Sequence, residues 1–219
     1  MNEIIKVPVM EQIATENDRV SDRLRADFDR RGIFAVNVLG APGVGKTTSL
    51  LNLIEQLGSK NVSVIEGDIE SDIDTRKLDE HGVSAQQINT QGACHLDAWV
   101  IEQAADSLKL ADGSWLFVEN VGNLVCPAEF NIGEHLKLLI VTVTEGSDKP
   151  YKYPLAFEKA DLILLNKCDL IPYVDFDLDF FTRGLRAVNP QAPLFPVSGK
   201  TKEGYDAVAR WLLARRGAK

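Results

Sequence analysis

The segment "GAPGVGKTT", residues 40–48, is the strongest indication of the fold of this chain. It matches the phosphate-loop pattern, in which a glycine is followed by four residues and then by Gly45-Lys46-Thr47. A buried-type strand, "IFAVNVL" (33–39), precedes it, and a helix, "KTTSLLNLIEQL" (46–57), begins inside it. Glycines let backbone N–H groups surround a phosphate without a Cβ in the way, and the helix N-terminus adds partial positive charge. The segment therefore predicts a P-loop nucleotide site.

Two side chains of this loop have distinct expected tasks. Lys46 should reach the β- and γ-phosphates of a nucleoside triphosphate and act in catalysis, and the Thr47 hydroxyl should bind Mg²⁺. The loop residues expected to contact the nucleotide are Gly43, Val44, Gly45, Lys46, Thr47 and Thr48.

The rest of the chain alternates apolar strands with helices. Strands are predicted at 33–39, 62–66, 85–89, 115–119, 138–144, 161–166 and 194–197, and helices at 9–31, 46–57, 74–81, 96–109, 151–159, 177–188 and 204–215. This alternation favours an α/β P-loop NTPase with a mostly parallel, doubly wound sheet and helices on both faces. In such sheets ligands bind in the loops beyond the carboxyl ends of the strands. We expect a single domain over 1–219, with an N-terminal amphipathic helix (1–32) packed on it.

The composition excludes several classes of protein. The net charge of −8 argues against nucleic acid as a partner, because its phosphates need a basic surface, and more weakly against an anionic membrane. The strongly apolar stretches are of strand length, and the N-terminus lacks the pattern of a secretory signal. Three cysteines, an odd number, do not suit a disulfide framework. We therefore expect reduced thiols in the cytoplasm.

The segment "LILLNKCDL" (162–170) indicates which base is bound. It places Asn166, Lys167 and Asp169 at the end of an apolar strand, where a carboxylate can accept two hydrogen bonds from guanine, a pattern that adenine does not present. The aliphatic stem of Lys167 can cover the ring. After a later strand, Ser198, Gly199 and Lys200 are suited to close over the base. The sequence therefore predicts a single GTPase domain that binds GTP and GDP.

Acidic residues between these motifs are candidates for the phosphate site. Asp68 and Glu119 each end a predicted strand, where a carboxylate can hold Mg²⁺ directly or through water. Glu119 begins a Glu-x-x-Gly sequence where many GTPases have Asp-x-x-Gly. Asp74 could instead orient the attacking water. The catalytic candidates are therefore Lys46, Asp74 and Glu119. Asp72 is interpreted as a solvated helix cap. Because no residue clearly matches the water-positioning glutamine of some signalling GTPases, slow intrinsic hydrolysis is expected.

Cysteine and histidine lie side by side in "NTQGACHLDAW" (89–99), a polar stretch. Cys94, His95 and Cys126 lie in two loops predicted near one sheet edge, and two thiolates with an imidazole are suitable ligands for Zn²⁺ or Ni²⁺. A following helix should lower the pKa of Cys94 through its dipole. His135 is an alternative ligand but is interpreted as a surface helix residue or a strand-start residue, and Cys168 is expected to face the protein. From the residues alone, ordinary buried cysteines stay an open alternative.

The chain resembles the HypB family of GTPases, which help to insert nickel into [NiFe] hydrogenases. The resemblance is carried by "GAPGVGKTT", "IEGDIESDIDT", "NTQGACHLDA", "FVENVGNLVCP", "EGSDKPYKYP" and "LNKCDL". Cys94, His95 and Cys126 match the family's cysteine–histidine pair and its later cysteine in type and order. The resemblance implies a nucleotide-linked homodimer with metal at the subunit interface, a HypA-type nickel chaperone as partner and the hydrogenase large subunit as recipient.

Two other interpretations remain. The urease accessory GTPase UreG performs related chemistry, but it typically carries Cys-Pro-His in its switch region, and here Ala128 follows Cys126-Pro127. A regulatory module could use GTP-dependent dimerisation to dock partners, with no metal role. Serine at Cys94 and Cys126 should leave partner binding by such a module intact.

Overall fold

The computed structural model describes residues 9–68 and 73–218, with side chains placed at 15–67 and 75–218. Asp72 lies outside the described residues, as do the side chains of Asp68 and Asp74. Within the described part, no helix has both the length and the apolar character needed to cross a membrane.

Parallel strands form one sheet. The strands are Phe34–Leu39 (β1), Val62–Asp68 (β2), Ser84–Asn89 (β3), Trp115–Glu119 (β4), Leu136–Thr142 (β5), Leu162–Asn166 (β6) and Leu194–Pro196 (β7). Their order is β3-β2-β4-β1-β5-β6-β7, and the described pairings between neighbours are all parallel. The predicted α/β architecture is confirmed, with the strand that leads into the phosphate loop near the centre.

Helices cover both faces of this sheet. They are Val9–Arg31 (α1), Lys46–Leu57 (α2), Ile73–Glu80 (α3), Ala98–Leu108 (α4), Cys126–Glu129 (α5), Lys149–Lys152 (α6), Pro154–Lys159 (α7), Leu178–Val188 (α8) and Tyr205–Gly217 (α9). Side chains alternate along β1, so Val36 and Val38 join one core cluster with α2 and α9. Ala35 joins the cluster formed with α1 and α4. Leu39 joins a third cluster, with α7 and α8. The central strands are therefore buried on both sides and apolar, whereas the edge strand β3 is polar and only partly buried.

The N-terminal helix α1 packs against α4. Its buried stripe is Val20, Leu24 and Phe28, and Gly32 follows the helix with a φ of +64°, in the left-handed region that suits glycine. Asn17 Oδ1 accepts a hydrogen bond from the backbone N–H of Ala98 at 2.9 Å. Helix α1 thereby positions the start of α4, which follows the cysteine–histidine segment.

Local structure differs from the sequence-based prediction in three places. The helix predicted at 151–159 is two helices, because Pro154 lacks an N–H and disfavours helical geometry at Tyr153, which has φ −127° and ψ 52°. Strand β5 lies two residues earlier than the predicted 138–144. The short helix α5 was not predicted, since four residues carry no periodic signal.

Candidate functional site

The loops singled out in the sequence meet at one edge of the sheet. Gly40 follows β1, Cys94 lies beyond β3, Glu119 ends β4, Asn166 ends β6 and Ser198 lies beyond β7. Because the strands are parallel, these carboxyl ends lie on the same side of the molecule.

The phosphate loop has the backbone that a bound oxyanion requires. Gly43 and Gly45 have φ values of +75° and +90°. A Cβ at Gly45 would lie 2.8 Å from Nδ2 of Asn166, so a larger residue would clash there. Lys46 is 9% exposed, and its Nζ donates to the carbonyl oxygen of Ala41 at 3.5 Å, across the loop. Glycines at positive φ and one largely buried cation are the features that a loop binding a nucleotide's phosphates needs.

The Thr47 hydroxyl and the Glu119 carboxylate form a buried pair of oxygen-bearing groups at this loop. Thr47 Oγ1 donates to Glu119 Oε1 at 3.1 Å, and both residues are buried. A hydroxyl next to a carboxylate suits Mg²⁺, which prefers oxygen ligands. The backbone of Asp68 ends β2 and that of Asp74 lies in α3, but the roles of both carboxylates stay predictions.

Asn166 joins the segment expected to bind guanine, residues 162–170, to the phosphate loop. Its Nδ2 donates to the carbonyl oxygen of Val44 at 2.8 Å, and its Oδ1 accepts from the N–H groups of Lys167 and Gly199 at 2.7 and 2.9 Å. Lys167 has a φ of +60°, and its Nζ donates to the carbonyl oxygen of Gly43 at 2.8 Å. One buried side chain therefore connects three segments that are predicted to bind nucleotide.

Two further side-chain hydrogen bonds help to hold the loop expected to close over the base. Ser198 Oγ donates to Asp169 Oδ1 at 2.7 Å, and Asn52 Nδ2 donates to the carbonyl oxygen of Gly199 at 3.0 Å. Thr48 and Lys200 are exposed at the edge of this region. Sequence analysis missed Asn52, although a buried polar residue on the apolar face of α2 is a signal that could have found it.

Cys94, His95 and Cys126 come together in a single chain. One ligand atom from each lies within 4.8 Å of the others, and Cys94 Sγ is 3.4 Å from His95 Nδ1. Two ligand atoms that bind one ion, each at about 2.0–2.3 Å from it, can be at most about 4.6 Å apart. A small movement of the ligand atoms toward each other is therefore enough for them to share one ion. Gly92, with a φ of +90°, forms the turn that presents Cys94. The donor set suits a borderline-soft cation.

The surroundings of this group are open on one side. Cys94 is exposed, and the ring of His95 stacks on Phe130 with centroids 4.2 Å apart. Two apolar side chains near the ligands in sequence are also solvent-exposed: Trp99 is 57% exposed and Val125 is 48% exposed. An external ligand or a second protein surface could therefore complete the coordination.

The thiol chemistry differs from the sequence-based expectation. A hydrogen bond with Cys126, followed by desolvation, raises the pKa of Cys94. The predicted lowering by a helix dipole is wrong, since α4 begins only at Ala98 and the side chain of Asp97 caps its N-terminus. Burial lowers the pKa of His95, which favours the neutral imidazole that binds metals.

The other histidine and cysteine candidates face the protein. His135 directly precedes β5, as the strand-start interpretation predicts, and its side chain is 1% exposed, so the alternative of a surface helix residue is wrong. Its Nδ1 accepts from the N–H of Ala35 at 2.9 Å, and its Nε2 lies 3.0 Å from Asp29 Oδ1. Cys168 Sγ donates to the carbonyl oxygen of Leu165 at 3.0 Å. Neither is available to the cysteine–histidine group.

Two asparagines that the sequence analysis did not single out connect the loops. Asn120 Oδ1 accepts from the N–H of Leu96 at 3.0 Å, next to His95. Asn123 Nδ2 donates to the carbonyl oxygen of Cys94 at 3.3 Å. Their contacts join segments more than 20 residues apart, which no local pattern reveals.

The similarity of this chain to known proteins extends over the segments that hold these loops. The profile of the family described as CobW/HypB/UreG, nucleotide-binding domain, matches residues 34–196. The hydrogenase maturation factor HypB of Azotobacter chroococcum mcd 1 is 45% identical over 214 residues, 97% of this chain and 70% of the relative. The hydrogenase/urease maturation factor HypB of Helicobacter pylori (strain ATCC 700392 / 26695) is 36% identical, over 96% of this chain and 88% of the relative. A crystal structure of HypB from Helicobacter pylori in complex with nickel has a TM-score of 0.86 at 34% identity, over 93% of this chain and 96% of that chain.

Proposed function

The chain belongs to the HypB hydrogenase maturation factors of the CobW/HypB/UreG family, and we propose that it is a nickel-handling GTPase. Members of this family are P-loop GTPases. In this proposal the chain hydrolyses GTP and assists nickel insertion into [NiFe] hydrogenase. The observation that carries it is the convergence of Cys94, His95 and Cys126 next to the segment that leaves the nucleotide site at Glu119.

The phosphate loop and its acidic neighbours carry the hydrolytic part. Lys46 neutralises charge on the β- and γ-phosphates, and Asp74 orients the attacking water. Thr47, Asp68 and Glu119 hold Mg²⁺, which supplies further charge neutralisation when it is bound. The buried hydrogen bond between Thr47 and Glu119 supports this assignment, because it places two of the three oxygen donors together. Slow intrinsic turnover is expected, since the sequence offers no clear water-positioning glutamine.

Guanine specificity comes from the loops after β6 and β7. Asp169 accepts two hydrogen bonds from the base, and Lys167 covers one face of the ring. The bond from Ser198 Oγ restrains the carboxylate of Asp169 in a conformation ready for the base. Gly199 and Lys200 complete the contact region.

Nickel is the cargo of the cysteine–histidine group. Two sulfurs and an imidazole suit Ni²⁺, and Zn²⁺ also accepts this donor set. Three protein ligands from one chain leave a coordination position that water or a second copy of the chain can fill. An incomplete, exposed site suits transfer of a metal better than a permanent structural role.

The nucleotide state sets how well the metal ligands meet. The γ-phosphate orders the segment from Glu119 to Cys126 and brings Cys126 into position with Cys94 and His95. Hydrolysis relaxes that arrangement and favours release of the ion. By thermodynamic linkage, nickel must change the nucleotide affinity by the same factor as the nucleotide changes the nickel affinity.

The family resemblance implies the partners, and the exposed side of the metal group offers them a surface. A homodimer linked by nucleotide and metal would cover Trp99 and Val125, which are exposed. A HypA-type nickel chaperone would exchange the ion, and the large subunit of a [NiFe] hydrogenase would receive it. The compartment is the cytoplasm, where the thiols stay reduced.

The test of the proposal is a nickel titration of the full chain, once with GDP and once with a nonhydrolysable GTP analogue. Different dissociation constants are expected, and X-ray absorption should report sulfur and imidazole ligands. Equal dissociation constants in the two nucleotide states would remove the proposed coupling.

Urease is a second candidate recipient. It is favoured by the Helicobacter pylori relative, which is named a hydrogenase/urease maturation factor. Activation assays with nickel-free hydrogenase and nickel-free urease, each supplied with this chain, nickel and GTP, distinguish the two recipients.

A further inference from the structure

The segment Asn120–Val125, called here the linking segment, contacts the phosphate loop at two points. Asn123 forms an isolated antiparallel bridge with Gly40, the first glycine of the loop. Gly122 lies against Pro42, where an added Cβ would come within 2.9 Å of the proline Cγ. The linking segment thus lies directly on the phosphate loop, with no side chain between Gly122 and Pro42.

The amide side chain of Asn123 also holds both metal-binding loops. Its Nδ2 donates to the carbonyl oxygen of Cys94 at 3.3 Å, and its Oδ1 accepts from the N–H of Val125 at 2.9 Å, next to Cys126. The carbonyl group belongs to Cys94 itself, and the N–H group belongs to the residue before Cys126. Asn123 therefore contacts the phosphate loop through its backbone and both ligand-bearing loops through its side chain.

Asn120 makes contacts of a different kind. Its backbone N–H donates to Val38 at 3.0 Å and its Nδ2 donates to Asn37 Oδ1 at 3.1 Å, both in the central strand β1. Its Oδ1 accepts from Leu96 and Val121, and the residue is 1% exposed. A side chain tied to the centre of the sheet has little room to move, so Asn120 anchors the linking segment in either nucleotide state.

We propose that Asn123 is the positioning residue that transmits the nucleotide state to the metal ligands. A γ-phosphate entering the loop acts on the Gly40 and Pro42 contacts and shifts the linking segment about its anchor at Asn120. The Asn123 amide carries this shift to the peptides of Cys94 and Val125, which changes the distance between the two sulfurs. The inference rests on the proposed function and adds to it the residue through which its two sites are coupled.

The test replaces Asn123 while keeping part of its local role. In Asn123→Ser the hydroxyl can still accept from Val125 N–H but is too short to reach the Cys94 carbonyl. Asn89→Ser is the matched control, because Asn89 caps a turn in the same cysteine loop by accepting from Gln91 N–H at 2.9 Å and has no described contact with the phosphate loop. Thermal unfolding of each full-length variant checks that it is folded.

The measured quantity is the ratio of nickel dissociation constants with GDP and with the GTP analogue. Coupling of this kind typically changes affinity about 5–150-fold. Asn123→Ser should reduce the ratio by about fivefold, the equivalent of one neutral hydrogen bond, whereas Asn89→Ser should leave it unchanged. The difference in thiolate-to-nickel charge-transfer absorption between the two nucleotide states should shrink in parallel.

The outcomes separate this inference from the proposed function. If Asn123→Ser weakens nickel binding equally in both nucleotide states, Asn123 is only structural and the inference is overturned. If the wild-type chain itself shows equal nickel affinities, the proposed coupling fails and the inference fails with it.

Discussion

Among single residues, Asp169 has the most specific proposed task. We expect Asp169→Asn to weaken GTP binding about 10–150-fold, because a hydrogen bond to a charged group is worth about 1.5–3 kcal/mol. The same variant should favour xanthine nucleotides, which carry a carbonyl where guanine carries its exocyclic amine. Titrations with GDP and xanthosine diphosphate measure both effects. Ser198→Ala is the control: it removes the bond to Asp169 and should weaken GTP binding without changing the preferred base.

A second prediction for single residues concerns Cys94 and Cys126, the two cysteines that lie close to His95. Structural zinc sites are worth about 10–16 kcal/mol over four ligands, so loss of one ligand should weaken nickel binding at least about fiftyfold. Cys94→Ser and Cys126→Ser should each show this loss in a competition titration with a chelator. Cys168→Ser is the matched control, since that thiol donates to a backbone carbonyl inside the protein. Unchanged nickel affinity in the first two variants would favour the regulatory module without a metal role.

At the scale of elements, Phe28 is the largest side chain in the buried stripe of helix α1. Phe28 is 1% exposed and belongs to the core cluster with α4 and β1. Phe28→Ala should lower the free energy of unfolding by about 3–5 kcal/mol, through lost burial and the cavity left behind. Arg19→Ala removes only an exposed ion pair with Glu16 on the same helix, and it should change the free energy of unfolding by less than about 1 kcal/mol. Urea denaturation of both variants measures the difference, and similar midpoints would show that α1 is not part of the cooperative unit.

At the scale of the whole molecule, the exposed Trp99 predicts where two copies meet. In the proposed homodimer the surface beside Cys94 is covered, so Trp99→Glu should weaken dimerisation in the presence of nickel and the GTP analogue. Tyr173→Glu is the control, because Tyr173 is 82% exposed but follows β6, on the other half of the sheet from β3. Sedimentation velocity at several concentrations measures the dimer fraction. A stronger effect at Tyr173 would place the interface on the guanine side instead.

Much of the fold and of the nucleotide site could be predicted because both depend on local patterns. The glycine spacing at 40–45 and the apolar runs of strand length are readable residue by residue. The predicted boundaries of helices are less accurate where a single proline interrupts a helix, as Pro154 does. They also fail where an element has only four residues, as in α5.

The amino-acid sequence alone is enough for the phosphate-loop class, the base expected from Asp169 and the residue types offered to a metal, because backbone freedom, charge and ligand softness are properties of single residues. The three-dimensional structure was needed to show that the sulfurs of Cys94 and Cys126 converge, that the side chain of His135 is buried and that Asn123 contacts both loops. These features depend on the strand order, which places β3, β2, β4 and β1 side by side and brings together loops that are far apart along the chain. No local pattern specifies that order, since it results from packing of the whole sheet between its two layers of helices.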